Sequence, residues 1–165
     1  MTTIDEVVAA NAAYADHAMD FVGTAAPSRQ LAVVTCMDAR IDPYNTLGLR
    51  AGEAHVIRNA GGIVTDDVLR SLAVSQRKLG TVHVMLVMHT DCGMGSFEGD
   101  AFRHDVEVET GLRPQWAVET FHDVDAEVRQ GMARIRAESA VRHLDDLRGF
   151  VFDVVSRRLR EILPA

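Results

Sequence analysis

Apolar residues gather in short runs along this chain and, between the runs, recur at helical spacing. Leu31-Ala32-Val33-Val34-Thr35 and Val82-His83-Val84-Met85-Leu86-Val87-Met88 are partly β-branched, of strand length, and bounded by polar or glycine-bearing segments. Such runs read as buried strands. Phe150-Val151-Phe152-Asp153-Val154-Val155 reads as another, Glu53 to Arg58 as the second strand in chain order, and Leu159 to Leu163 as an edge strand returning through a tight turn. Helical spacing appears at Ile4, Val7, Val8, Ala12, Ala15, Ala18 and Met19, which predicts a helix from Ile4 to Phe21 capped by Thr2 or Thr3. The clearest helix opens at Thr65-Asp66-Asp67, with a cap, acids in the first turn, apolar Val68, Leu69, Leu72, Ala73 and Leu79, and Gly80 as its stop. Asp123 to Glu138 predicts a further helix with Val124, Val128, Met132 and Ile135 on one face. Pro43 suits the first turn of a short helix within Ile41 to Leu49, and Gly23 to Gln30 reads as a loop. From Cys92 to Gly99 the chain is glycine-rich, and from there to Pro114 it is polar with helical fragments.

Strands alternating with helices predict an α/β fold with a mainly parallel sheet covered by helices on both faces. With 165 residues the chain fits a single domain, which buries about 70% of its unfolded surface. No internal repeat or interdomain linker is visible. In open sheets of this kind the ligand crevice lies beyond the carboxyl ends of the strands. Cys36 and His89 each follow a predicted strand, so the fold brings together residues far apart in sequence.

Composition narrows the classes. At 47% apolar and 25% charged residues the chain is not disordered, and no apolar run approaches the ~18 residues of a membrane span. Asp5, Glu6, Asp16 and Asp20, with no lysine or arginine among them, have the wrong charge for a secretory leader, so a cytoplasmic location is expected. A net charge of −7 argues against nucleic acid as a partner, and the densest basic stretch, Arg157-Arg158-Leu159-Arg160, reads as a solvated strand or turn.

The chemistry concentrates in Cys36-Met37-Asp38-Ala39-Arg40 and His89-Thr90-Asp91-Cys92-Gly93, which hold the two cysteines of the chain. Two thiolates and an imidazole are the set of a catalytic zinc site whose fourth, tetrahedral position is left for water or substrate. Taken singly, Cys36 reads as an inert core thiol. Cys92, at i+3 from His89 in a glycine-flanked loop, is less natural in a core. A phosphatase loop would need arginine where Asp42 stands, and a thioredoxin-type motif a second cysteine where Ala39 stands. Gly93-Met94-Gly95 lacks the Lys-Ser/Thr ending of a phosphate loop and reads as flexible backbone beside the metal. If Arg40 forks onto Asp38, that carboxylate stays ionised and can accept the proton of a metal-activated hydroxide, which fixes a lone pair toward substrate. The remaining histidines read as structural or solvent-facing, with His104 or His122 as candidate proton relays.

Cys36-x-Asp38-x-Arg40, Arg58-Asn59-Ala60-Gly61-Gly62 and His89-x-x-Cys92-Gly93, in that order, resemble the signatures of the β-class carbonic anhydrases. The likeness spans Leu31 to Met94, and Arg148 to Val154 resembles the closing strand of the short bacterial members. Met-Asp-Ala replaces the commoner Ser-Asp-Ser, and the region from Ser96 to His122 matches no part of the pattern. The resemblance implies a four-stranded parallel sheet with an added edge strand. It also implies an N-terminal helical arm (residues 1–22) laid over a partner subunit, and a homodimer or dimer of dimers. It implies Zn²⁺ on Cys36, His89 and Cys92, Asp38 and Arg40 as an orienting dyad, and Gly61, Gly62 and Gly93 lining the substrate pocket. In some family members the Asp of the dyad can itself bind the zinc and close the site, which makes Asp38 a candidate fourth ligand in a closed state. The implied activity is reversible hydration of carbon dioxide to bicarbonate and a proton. The nearest alternative is hydrolysis of carbonyl sulfide or carbon disulfide by the same centre; one of another class is a non-catalytic zinc-binding or thiol-sensing module.

Overall fold

The structure, a computed structural model, describes residues 2–17 and 23–164. Five strands form one sheet in the order β2-β1-β3-β4-β5: β1 (Leu31–Cys36), β2 (Ala54–Asn59), β3 (His83–His89), β4 (Leu147–Phe152) and β5 (Leu159–Ile162). The first four are parallel and β5 runs antiparallel to β4. The expected four parallel strands with an added edge strand are therefore present. Five helices accompany them among the described residues: α1 (Thr3–His17), α2 (Pro43–Leu47), α3 (Asp66–Leu79), α4 (Gly99–Thr110) and α5 (Val124–Ala137).

Local chemistry sets the helix bounds. Thr65 Oγ1 accepts from the backbone N–H of Val68, and Gly80, at φ 75, takes the left-handed conformation that closes α3. Asp123 caps α5 through the N–H groups of Asp125 and Ala126, and Asp42 caps α2 through those of Tyr44 and Asn45. Val68, Leu69 and Leu72 of α3 and Val128, Met132 and Ile135 of α5 cover one sheet face, meeting Ala32, Val34, Leu86, Met88 and Val151. On the other face Val33, Val87 and Phe152 pack with Ile41 and Leu49, which flank α2. Full burial of side chains such as Leu72 stabilises by about 1.5–3 kcal/mol each. No described helix is long and apolar enough to cross a membrane.

Two elements depart from the sequence reading. The fourth strand starts at Leu147 and ends at Phe152, ahead of the predicted Phe150 to Val155, because Asp153 Oδ1 accepts from the N–H groups of Val155 and Ser156 and turns the chain there. The polar stretch after Gly99 holds one continuous helix, α4, none of whose residues is buried. In α1 the described residues of the predicted stripe, Ile4, Val7, Val8, Ala12 and Ala15, are all exposed on the single chain. The predicted continuation of α1 to Phe21 lies outside the described residues.

Gly149 shows how closely α5 sits on β4. A Cβ there would collide with Val128 Cγ1 and stand 2.8 Å from Met132 Sδ. Gly149→Ala is expected to destabilise the protein by about 1–3 kcal/mol, read as a lower urea midpoint at fixed protein concentration; an unchanged midpoint would mean that α5 is free to shift.

Candidate metal centre

Cys36 is the last residue of β1 and His89 the last of β3, so neighbouring parallel strands deliver a thiol and an imidazole to the same sheet edge. The chain then bends through Asp91, at φ 54, and returns Cys92 to the same point. Cys36 Sγ and Cys92 Sγ are 4.0 Å apart, and the ligand atoms of Cys36, His89 and Cys92 all lie within 4.8 Å of one another. Tetrahedral zinc, with bonds of about 2.3 Å to sulfur and 2.0–2.1 Å to nitrogen, spaces its ligand atoms by roughly 3.5–3.8 Å. Small side-chain movements close the gap.

The state of His89 is a separate test of fit. Its Nδ1–H donates to the Thr90 carbonyl at 2.9 Å, which leaves the lone pair on Nε2. That Nε2 is buried and has no hydrogen-bond partner. Buried polar atoms are nearly always satisfied, and here the orphaned lone pair belongs to a group with two sulfurs. Two soft thiolates and a neutral imidazole suit Zn²⁺ in donor type as well as spacing.

The cysteines form a coupled pair. A hydrogen bond from Cys92 pushes the Cys36 thiol down to about 4 against the opposing effect of burial, with His89 and the backbone N–H of Asp38, 3.4 Å from Sγ, adding to the shift. The same bond pushes Cys92 up. A dication bound here would take both sulfurs as thiolates and release any proton they hold.

Arg40 forks onto Asp38, with Nε 3.0 Å from Oδ1 and Nη2 2.8 Å from Oδ2, while the backbone N–H of Arg40 donates to Oδ1 at 2.9 Å. The Arg40 guanidinium holds the Asp38 carboxyl well below the usual carboxylate range. Asp38 Oδ2 lies 3.8 Å from His89 Nε2. Arg40 and Asp38 are thus ion-paired, with the carboxylate beside the ligand group. Two contacts were not foreseen from sequence. Arg58 donates to the carbonyls of Cys36 and Asp38, each at 2.9 Å, bracing the segment that carries ligand and dyad. Arg40 also donates to Asp91, through Nη1 to Oδ2 at 2.7 Å and Nη2 to the carbonyl at 2.8 Å. Arg58 stood in the recognised motif without a role; the signal at Asp91 was its place between two ligands.

The three glycines differ. Gly61 and Gly62, at φ 82 and 69, form a buried 3₁₀ turn after β2. A Cβ on Gly62 would stand 2.8 Å from Cys36 N and 2.9 Å from Thr35 C, backbone that cannot yield, and one on Gly61 would press on Ile63 and Met94. Gly93 is exposed, and a Cβ there would meet nothing within 4 Å. His122 pairs with Glu98 on the surface at 3.1 Å and His104 is exposed on α4, so neither belongs to the ligand group.

Because Gly62 combines positive φ with close backbone contact at Cys36, Gly62→Ala is expected to lower stability by more than about 1 kcal/mol and to reduce zinc bound per chain. Metal analysis beside urea unfolding checks this; full zinc content at unchanged stability would contradict it.

Comparison with known proteins agrees with this geometry. The sequence profile of the carbonic anhydrase family matches residues 31–154. "Beta-carbonic anhydrase 1" of Mycobacterium tuberculosis is 49% identical over 166 residues, covering 99% of this chain and 100% of that protein. A crystal structure of carbonic anhydrase from Streptococcus mutans superposes with a TM-score of 0.91 at 34% identity, covering 99% of both chains. A carbon disulfide hydrolase of Saccharolobus solfataricus is 49% identical over 72 residues, covering 44% of this chain and 35% of that protein. With strand ends, Cys-His-Cys group and whole-length similarity in agreement, this chain belongs to the β-carbonic anhydrase family.

Proposed function

We propose that this protein catalyses the reversible hydration of carbon dioxide to bicarbonate and a proton, with Zn²⁺ held by Cys36, His89 and Cys92. The observation that carries the reading is the buried, unpartnered His89 Nε2 beside two sulfurs, in a chain similar over its whole length to carbonic anhydrases. Bound there, Zn²⁺ would lower the pKa of a water toward ~7 and so supply a nucleophile at neutral pH.

The protein's own residues do the rest. Asp38 remains a carboxylate because Arg40 occupies one acceptor direction of Oδ2 and two of Oδ1. One lone pair of Oδ2 is left, and it accepts the hydrogen of the attacking oxygen so that the oxygen's own lone pair faces the carbon. Arg58, clamped to the Cys36 and Asp38 carbonyls, keeps ligand and acceptor at a fixed separation. Gly61, Gly62 and Gly93 border the substrate pocket, Gly62 because the backbone must pass close to Cys36 and Gly61 because Ile63 and Met94 leave no room for a side chain. The product bicarbonate leaves and the proton passes to buffer.

Two further readings complete the proposal. The exposed apolar residues of α1 support an arm that lies over a second copy, in a homodimer or dimer of dimers. Carbon dioxide is favoured over carbon disulfide because the chain is 49% identical to a carbonic anhydrase over its whole length, whereas a carbon disulfide hydrolase matched over 81% of this chain is 29% identical.

Asp38→Ala should retain one zinc per chain while carbon dioxide hydration falls about 10- to 100-fold, as measured by stopped-flow with a pH indicator. Undiminished turnover would remove Asp38 from the mechanism. Parallel assays with carbonyl sulfide and carbon disulfide should give much slower turnover, and a higher kcat/KM for either would reassign the substrate.

A further inference from the structure

Asp91, between the ligands His89 and Cys92, has no part in the scheme above. Its left-handed backbone, at φ 54, is a conformation that aspartate tolerates better than most residues. That turn aims both of its acceptors at Arg40: the carboxylate takes Nη1 at 2.7 Å and the carbonyl takes Nη2 at 2.8 Å. The other edge of the same guanidinium is forked on Asp38. Arg40 is therefore a bridge with one end on the segment after β1 and the other on the loop after β3.

What the bridge restrains follows from distance. Asp38 Oδ2 is 3.8 Å from His89 Nε2, close to the spacing of two ligands on one ion. A carboxylate so near a dication would coordinate it if nothing else engaged its oxygens. Arg40 engages both, and Arg40 is kept there by Asp91 as well as by Asp38 itself. We propose that Asp91 is a positioning residue which, by anchoring Arg40 on Asp38, keeps Asp38 off the metal and leaves the fourth position free for substrate. The proposal rests on the reading that Cys36, His89 and Cys92 bind one metal ion and leave one position open.

The test uses the full-length protein loaded with Co²⁺, whose visible spectrum reports its ligands, and azide as the probe that takes the open position. Wild type is expected to bind one cobalt per chain and to change its spectrum with azide. Asp91→Gly keeps the left-handed backbone and deletes the carboxylate; it should weaken azide binding about two- to fivefold, the range of an exposed ion pair, because Asp38 then competes for the metal. Asp91→Asn, which keeps an oxygen acceptor, should fall between. In the Asp38→Ala background Asp91→Gly should no longer weaken azide binding at all. Loss of a negative charge beside an anion site would by itself strengthen azide binding, so the direction separates the proposal from simple electrostatics. Unaltered or tighter azide binding in Asp91→Gly, or equal weakening with and without Asp38, would overturn it. Failure of wild type to take up cobalt would overturn the metal-binding reading and this proposal with it.

Discussion

β1 and β3 lie side by side and parallel, paired from Leu31 opposite His83 to Thr35 opposite Val87. The metal centre depends on this one constraint. Both strands end at the same edge of the sheet, and each contributes a ligand as its last residue. With Thr35 opposite Val87, Cys36 and His89 lie within one step of each other along the strands, and each residue of slip in either would change that offset by about 3.3 Å, comparable with the spacing of two ligands on one ion. Register is held by burial: Ala32, Val33 and Val34 have no exposure, and Val84, Leu86, Val87 and Met88 have almost none. Two distinct apolar clusters, one on each face, make any slipped register place large side chains against the wrong neighbours.

Around that scaffold the charges are arranged in layers. Two thiolates balance a dication, so the group gains little net charge on binding. Next to it stand the Asp38 carboxylate and the Arg40 guanidinium, and beyond them Asp91. Exposed ion pairs contribute little to stability, yet here they decide which way a single carboxylate points. The backbone adds its own constraint where the glycine turn at Gly61 and Gly62 packs onto Cys36 so closely that no side chain fits between. Fold and chemistry thus meet at the same few backbone atoms.

Much of this was legible in the amino-acid order, and the reasons differ by element. β1 and β3 announce themselves as apolar runs, and α3 carries cap, acidic first turn, stripe and glycine stop together. The ligands were legible because soft donors are rare in this chain and fall at strand ends. β4 was displaced in the sequence reading because Arg148 and Gly149 interrupt its apolar character, although Gly149 is there to let Val128 and Met132 approach. α4 gave only fragments because nothing in it is buried. Asp38 and Arg40 are close in sequence and could be paired on paper. Arg58 and Asp91 could not, since their bonds join residues 20 to 51 positions apart and depend on a bend at Asp91 that residue identity does not dictate.

The central claim is that folding gathers two sulfurs and one imidazole about a single ion. Zinc-edge X-ray absorption on the purified protein tests it most directly. The account predicts two sulfur scatterers near ~2.3 Å and two nitrogen or oxygen scatterers near ~2.0–2.1 Å, one of them imidazole. A zinc shell without sulfur, or one with three or more sulfurs, would contradict it.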